Sequence, residues 1–315
     1  MPRARGRVLA LVVAVSTALS GCGGGGATRF SGEEAAAGGG GELEAGVASL
    51  PAEVDPLRAE GPSELTVVRQ VFEPLVSQLR PPYGEGEERR GLALGWEASP
   101  DLRVWRFRLR PGVAFQDGAR LDADAVVANA ERWRSDPAGL ALLPGLAAAD
   151  GPNPGLVRLI FVSPARSLPE QLADPRLGLV SPLAIADGGA STAVRGLRAG
   201  SGPFEVRKRE TDTLALTRFR RWWGTGPGLG PALDEVVFRR LPAARARARA
   251  LREGEVRMVT EVPARSAAAL RRDPLLAVLG GASGRALAHE RSVHGIRGPR
   301  PAPLSGVWLS LLAPG

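Results

Sequence analysis

Apolar and basic residues alternate over the predicted strand at residues 103–110, without a break from Trp105 to Arg110. Trp105, Phe107 and Leu109 fall on one side and Arg106, Arg108 and Arg110 on the other, the period of a strand with one wet face. Residues 62–79 carry helical spacing instead, with Leu65, Val68, Phe72 and Leu75 at i, i+3, i+7 and i+10. Asp117-Gly118 marks a turn, and Asp122 is placed to cap a helix whose Val126, Ala130 and Trp133 share one side. Further strands are predicted at 156–162, 204–208, 213–218 and 234–241, the middle two joined by polar residues 209–212 as a hairpin. A helix is predicted at 243–252. Beyond Gly280 the pattern decays into Gly, Pro and Arg before a last apolar run at 307–312. The sum, from Leu43 to about Leu279, is a mixed α/β body without internal repeats.

The amino terminus follows another logic. Arg3, Arg5 and Arg7 precede an apolar run, residues 8–18, and then Leu19-Ser20-Gly21-Cys22. As a helix that run reaches about 17 Å, against a hydrocarbon core of about 30 Å, so it is too short to span. Cys22 is the only cysteine in the chain. The arrangement resembles the lipobox of bacterial lipoproteins, which implies a signal peptide over 1–21, a lipid anchor on Cys22, and export to the outer face of the cytoplasmic membrane or the periplasm. Residues 22–42, rich in Gly, Ala and Glu, read as a tether with an r.m.s. span of roughly 25 Å.

Charge and chemistry narrow the function. The net charge is +8; without the three signal arginines it is about +5. The arginines are scattered, with no basic run interleaved with stacking aromatics, which argues against nucleic acid as a partner. No thiol besides Cys22 is available for a disulfide. Lys208, the sole lysine, stands between Arg207 and Arg209, so a phosphate-binding G-x-x-x-x-G-K-[ST] loop is excluded. Gly281-Ala282-Ser283-Gly284-Arg285 has Arg where a nucleophile elbow needs Gly. His289 and His294 are five apart; on a helix they would diverge by about 140° and could not share a zinc. No cofactor, metal site or catalytic residue is expected. Trp105 and Trp133 fit core stripes, whereas Trp222-Trp223 suits either a cleft lining or packing between subdomains.

Several segments in order resemble the family 5 extracellular solute-binding proteins, receptors of dipeptide, oligopeptide and nickel ABC importers. Trp96 to Asp101 leads into Phe107-Arg108-Leu109-Arg110-Pro111-Gly112-Val113-Ala114-Phe115-Gln116-Asp117-Gly118 and then Leu121-Asp122-Ala123-Asp124. Asp55-Pro56 and Val71-Phe72-Glu73-Pro74-Leu75 stand upstream. Gly200-Ser201-Gly202-Pro203-Phe204, Arg221-Trp222-Trp223-Gly224, Leu233-Asp234-Glu235-Val236 and Gly254-Glu255-Val256 follow downstream.

The resemblance implies a type II periplasmic-binding-protein fold, a mixed sheet with flanking helices. It implies a first lobe over 43–262 and an incomplete start of the second over 263–315. It implies reversible binding of a peptide or similar small solute, delivered to ABC permease subunits in the membrane, with no bond made or broken. The candidate first-lobe contacts are Ala59, Glu60 and Gly61 after Asp55-Pro56, and the pair Trp222 and Trp223. Charged groups of the second lobe find no match here, and solute binding weaker than micromolar, about −8 kcal/mol, is expected of half a cage. The rival expectations are a lipoprotein interaction module that binds no solute and, with nucleophile motifs absent, a secreted hydrolase.

Overall fold

In the computed structural model of the chain, the described residues are 40–77, 91–186, 198–224, 231, 233–273, 276–279 and 286–289. The signal segment, Cys22, the apolar run at 307–312 and His294 lie outside them.

The chain builds two sheets. It opens with β1 (Glu42–Val47), turns through a 3-10 segment at Pro56–Arg58 and enters α1 (Gly61–Val71). A four-stranded antiparallel sheet follows from β2 (Ala93–Ala98), β3 (Val104–Leu109), β4 (Leu146–Asn153) and β5 (Leu156–Phe161), in the order β2-β3-β5-β4. Between β3 and β4 run α2 (Ala123–Ser135) and α3 (Pro137–Leu142). Short helices α4 (Leu168–Gln171) and α5 (Pro182–Ala186) lead back.

The chain then completes the sheet it started. It adds β6 (Phe204–Arg209), β7 (Thr213–Arg218), β8 (Glu235–Arg240), α6 (Ala244–Glu253), β9 (Met258–Thr260), α7 (Ala264–Leu270), β10 (Leu276–Leu279) and β11 (Ala286–His289). The order is β10-β11-β9-β1-β8-β7-β6, with β1 parallel to both β8 and β9 and the outer pairs antiparallel.

The alternation at β3 has the burial its sequence predicts. Trp105, Phe107 and Leu109 are buried while Arg106 and Arg108 are exposed. The inward row meets Leu159 and Val157 across β5 and shares a core with Val126, Ala130 and Trp133 of α2. Asp122 accepts the Ala125 N–H at 2.9 Å, the capping geometry expected of it. The 209–212 hairpin also forms, closed by the Glu210 N–H on the Thr213 carbonyl at 2.8 Å.

Four readings change. The helix predicted over 62–79 stops at Val71, because Pro74 forces Glu73 out of the helical region and removes a donor. Phe72 and Leu75 are buried all the same, outside the helix. β1 begins at Glu42, inside the segment read as tether, because Glu42 to Val47 finds a parallel partner in β8. The sheet also continues past residue 262, since β11 pairs with β9 of the first sheet. Finally, His289, weighed above on helix geometry only to set a zinc site aside, lies on a strand.

The centre of the large sheet is β1, buried on both sides. Leu43, Ala45 and Val47 belong to a core with α1 and β6 to β8; Ala248 and Leu251 of α6 form a second cluster with Val256 and with Val259 of β9. A Cβ on Gly46 would meet Leu241 and Val259 side-chain carbons at 3.1 Å, so the small residue sets how closely that face packs.

Candidate functional site

Parallel strands β1, β8 and β9 end on the same edge of the sheet, and the segments leaving them converge on the start of α1. Open α/β sheets bind ligands at such an edge. Asp55 begins the approach: its carboxylate accepts the Leu57 N–H at 2.9 Å and pairs with the buried Arg132 guanidinium of α2. Arg58 reaches Asp136 at 3.2 Å, tying the same turn to the start of α3. Burial would push the Asp136 carboxyl up, but the Arg58 guanidinium and the Ala138 N–H hold it below the usual carboxylate value.

Ala59 is packed into the core, whereas Glu60 and Gly61 are exposed. Gly61 has φ +74°, a conformation that strains any residue with a Cβ. The Glu64 side chain returns to accept the Glu60 N–H at 2.8 Å.

Ser63, one turn into α1, joins two strand ends. Its hydroxyl accepts the Ala48 N–H at 2.9 Å just after β1, and donates to the Glu261 carboxylate just after β9. Thr260 stands 3.5 Å from the same oxygen. Glu261 has φ +54°, a left-handed turn at the exit from the strand. Behind it, buried Arg247 of α6 donates to the carbonyls of Leu241 (2.7 Å), Pro242 (2.8 Å), Thr260 (3.0 Å) and Glu261 (2.8 Å). One guanidinium thus fixes the loops after β8 and β9 together. The result is a polar lip carrying the α1 amino terminus, the Ser63 hydroxyl and the carboxylates of Glu60, Glu64 and Glu261. Among the described residues no group of three or more His, Cys, Asp or Glu side chains could hold a metal ion.

The tryptophan pair stands elsewhere. The Trp222 indole donates to Glu73 Oε1 at 3.2 Å, and the Trp223 indole to Oε2 at 2.9 Å. Ser201 donates to Oε2 at 3.0 Å. Glu73 follows α1, whereas Glu60 precedes it. Eleven residues of helix, about 16 Å, therefore separate the two halves of the expected site. The structure brings Ala59, Glu60 and Gly61 together with the strand ends and puts Trp222 and Trp223 at the far end of the helix.

Trp223 packs against the core of the four-stranded sheet, and the Arg110 guanidinium lies 4.1 Å from its ring centre. Burial pushes the Glu73 carboxyl up to about 7, against the downward pull of its three donors and Arg110. Nearby, the buried Gln116 amide donates to Val71 (3.3 Å), Gly202 (3.3 Å) and Phe204 (2.7 Å) carbonyls and accepts the Gly200 N–H (3.3 Å).

Sequence reasoning assigned no role to Ser63, Thr260, Glu261, Glu73 or Gln116. Glu73 and Gln116 did carry a signal: each is a polar residue inside an apolar block, Val71-Phe72-Glu73-Pro74-Leu75 and Phe115-Gln116-Asp117.

Two sheets joined by crossing segments, with a polar lip at the parallel strand ends, define the class of type II periplasmic binding proteins. Solved structures similar to this one belong to that class. AgaA from A. tumefaciens R10, in complex with agropinic acid, matches at TM-score 0.65 and 26% identity, covering 76% of this chain and 48% of that one. NikA from Brucella suis with Fe(III)-EDTA matches at 0.60 and 26%, covering 75% and 47%. DppA from Helicobacter pylori, solved with the peptide STSA, shares the fold at 0.62 and 21%, covering 76% and 50%.

Residues 88–291 match the family described as Bacterial extracellular solute-binding proteins, family 5 Middle, and the chain belongs to that family. The glutathione-binding protein GsiB of Escherichia coli strain K12 is 30% identical over 187 residues, 58% of this chain and 35% of GsiB. The chain spans about a third of the length of the curated relatives it matches.

Proposed function

We propose that this chain is the solute-binding lipoprotein of an ABC importer. It takes a peptide or similar small solute at the lip formed by Glu60, Gly61, Ser63, Thr260 and Glu261, works with permease subunits in the membrane, and makes or breaks no bond. The observation that carries this reading is the convergence of the α1 amino terminus and two strand exits on one edge of the parallel strands, held by Ser63 and Arg247. Family membership supports the solute-binding role. The relatives' names span glutathione, agropinic acid and Fe(III)-EDTA, all small solutes. With Glu60, Glu64 and Glu261 on the lip, the end of the solute that faces it is cationic, as a free amino terminus is.

Calorimetry of the purified chain with dipeptides, an oligopeptide pool and glutathione tests the reading. Saturable one-to-one heat is expected, weakened at least about fivefold in Glu60→Arg, an exposed position where the substitution leaves the core untouched. No heat with any of these at millimolar concentration, or binding indifferent to Glu60→Arg, would overturn it. The export and anchoring part rests on Leu19-Ser20-Gly21-Cys22. Cys22→Ala is expected to move the protein from the membrane fraction to soluble or unprocessed forms, and an unchanged membrane fraction would refute lipid attachment there.

A further inference from the structure

The arginines of α6 are sorted by face. Arg247 is buried beside Ala248, Ala250 and Leu251, whereas Arg245, Arg249 and Arg252 are exposed. Those three stand at i, i+4 and i+7, so they fall within about 60° around the helix and along about 10 Å of it. α7 shares an apolar cluster with α6 through Ala267 and Leu270. Arg265 of α7 is exposed too, as are Arg271 and Arg272 just after it. We propose that this basic helix surface is a docking face for an anionic lipid bilayer.

Carboxylates do not cancel this charge. Elsewhere on the surface, exposed Arg134, Arg198 and Arg240 stand in ion pairs with Glu131, Glu205 and Asp212. Around α6 and α7 the acids are Glu253, which pairs with Arg249 at 3.5 Å, exposed Glu255, and Asp273 after Arg272. Among the described residues Arg245, Arg252, Arg265, Arg271 and Arg272 form no ion pair. Arg252 donates only to the Ala248 carbonyl, at 3.3 Å. A guanidinium keeps its proton throughout the accessible pH range, so the charge is permanent.

Two further observations select lipid as the occupant. The exposed large hydrophobic residues of the described surface are Trp96, Leu140, Val162 and Leu183, none of them on α6 or α7. Protein interfaces centre on buried aromatic and aliphatic groups, which this face lacks, whereas lipid phosphates need only the guanidinium forks. The contact is therefore with headgroups, without insertion among acyl chains. The second observation rests on the reading of Cys22 as a lipid anchor. The Arg257 N–H donates to the Glu44 carbonyl at 2.9 Å, so the turn after α6 lies against the start of β1, where the chain arrives from Cys22.

The magnitudes suit a reversible contact. Each arginine held at an anionic surface favours binding by about fivefold, and the attraction fades beyond a Debye length of about 10 Å at 0.1 M salt. A body tethered to the same membrane needs only such weak contacts to lie down on it, because the tether keeps its local concentration high. Salt governs the contact, and pH does not.

The test is co-sedimentation of residues 22–315 carrying Cys22→Ala, which has neither signal segment nor acyl chain, with lipid vesicles. Binding is expected on phosphatidylcholine vesicles with about 30% phosphatidylglycerol at low salt, and is expected to vanish on phosphatidylcholine alone or in about 0.5 M salt. Arg245→Gln with Arg252→Gln should weaken it about 20-fold, whereas Arg106→Gln with Arg108→Gln, an equal loss of exposed charge on β3, should change it less than about threefold. No binding to the anionic vesicles, equal binding to phosphatidylcholine, or equal weakening by the two double variants would overturn the docking face. The lipid anchor is read separately, in cells washed with about 0.5 M salt, which strips the arginine contact and leaves an acyl anchor in place.

Discussion

Gln116 is the polar joint between the two sheets, and replacing its amide should reveal how much that joint contributes. The side chain is 1% exposed and touches backbone from three segments: Val71 at the end of α1, Gly200 and Gly202 in the returning loop, and Phe204 at the start of β6. Gln116→Met keeps the length and apolar stem while deleting all four side-chain bonds. At about 1 kcal/mol net for each, and more where a buried backbone group loses its partner, the loss is about 3–5 kcal/mol. Val71 is partly protected, because its carbonyl also accepts the Gly202 N–H at 2.8 Å.

With a urea slope of about 3 kcal/mol per molar, the midpoint should fall by about 1–2 M. Urea unfolding followed by far-ultraviolet circular dichroism and tryptophan fluorescence measures it. Gln116→Glu should cost at least as much, since a carboxylate would face three carbonyl oxygens. A midpoint drop below about 0.3 M in Gln116→Met, with the slope unchanged, would refute the role of the amide.

Other substitutions probe separate parts of the argument. Phe107→Ala, at a fully buried position, should cost about 3–5 kcal/mol, and exposed Arg106→Ala should stay within about 0.5, both read from urea unfolding. Gly200→Ala would put a Cβ 1.8 Å from the Val71 carbonyl oxygen and should destabilise by more than about 3 kcal/mol. Gly112→Ala, with nothing within 4 Å but φ +75°, should cost only about 1 kcal/mol. Because the folded state raises the Glu73 carboxyl from 4.5 to about 7, its contribution is fully present below 4.5 and is lost as pH rises through 7. That loss is about 3 kcal/mol, and thermal unfolding across this window should show it in the wild type and lack it in Glu73→Gln. Asp136 behaves oppositely, its contribution being present above the ordinary carboxylate range and lost as acid protonates it.

The sequence by itself determined those elements whose signal is local. The strict alternation around β3, the Asp122 cap, the α2 stripe and the β6–β7 hairpin need only neighbours within a few residues, so periodicity and turn chemistry reveal them. The ordered motifs also carried the family. What the chain could not show is what depends on partners far along it. The β4 segment, Leu-Ala-Ala-Ala-Asp-Gly-Pro-Asn, has no strand pattern of its own and is a strand because β5 pairs with it. The short apolar run of β1 is a central strand because β8 and β9 flank it.

The site divided in the same way. Asp55-Pro56 marked the segment of the candidate contacts Ala59, Glu60 and Gly61, but Thr260 and Glu261 lie nearly 200 positions from Ser63, the hydroxyl they meet. No spacing rule links such residues; the parallel strands bring them together. The tryptophans were legible as a special pair, yet only the fold shows that Glu73 engages both indoles at the far end of α1. A side chain's type fixes the bonds it can make, and the tertiary path of the backbone decides which partner is there to make them.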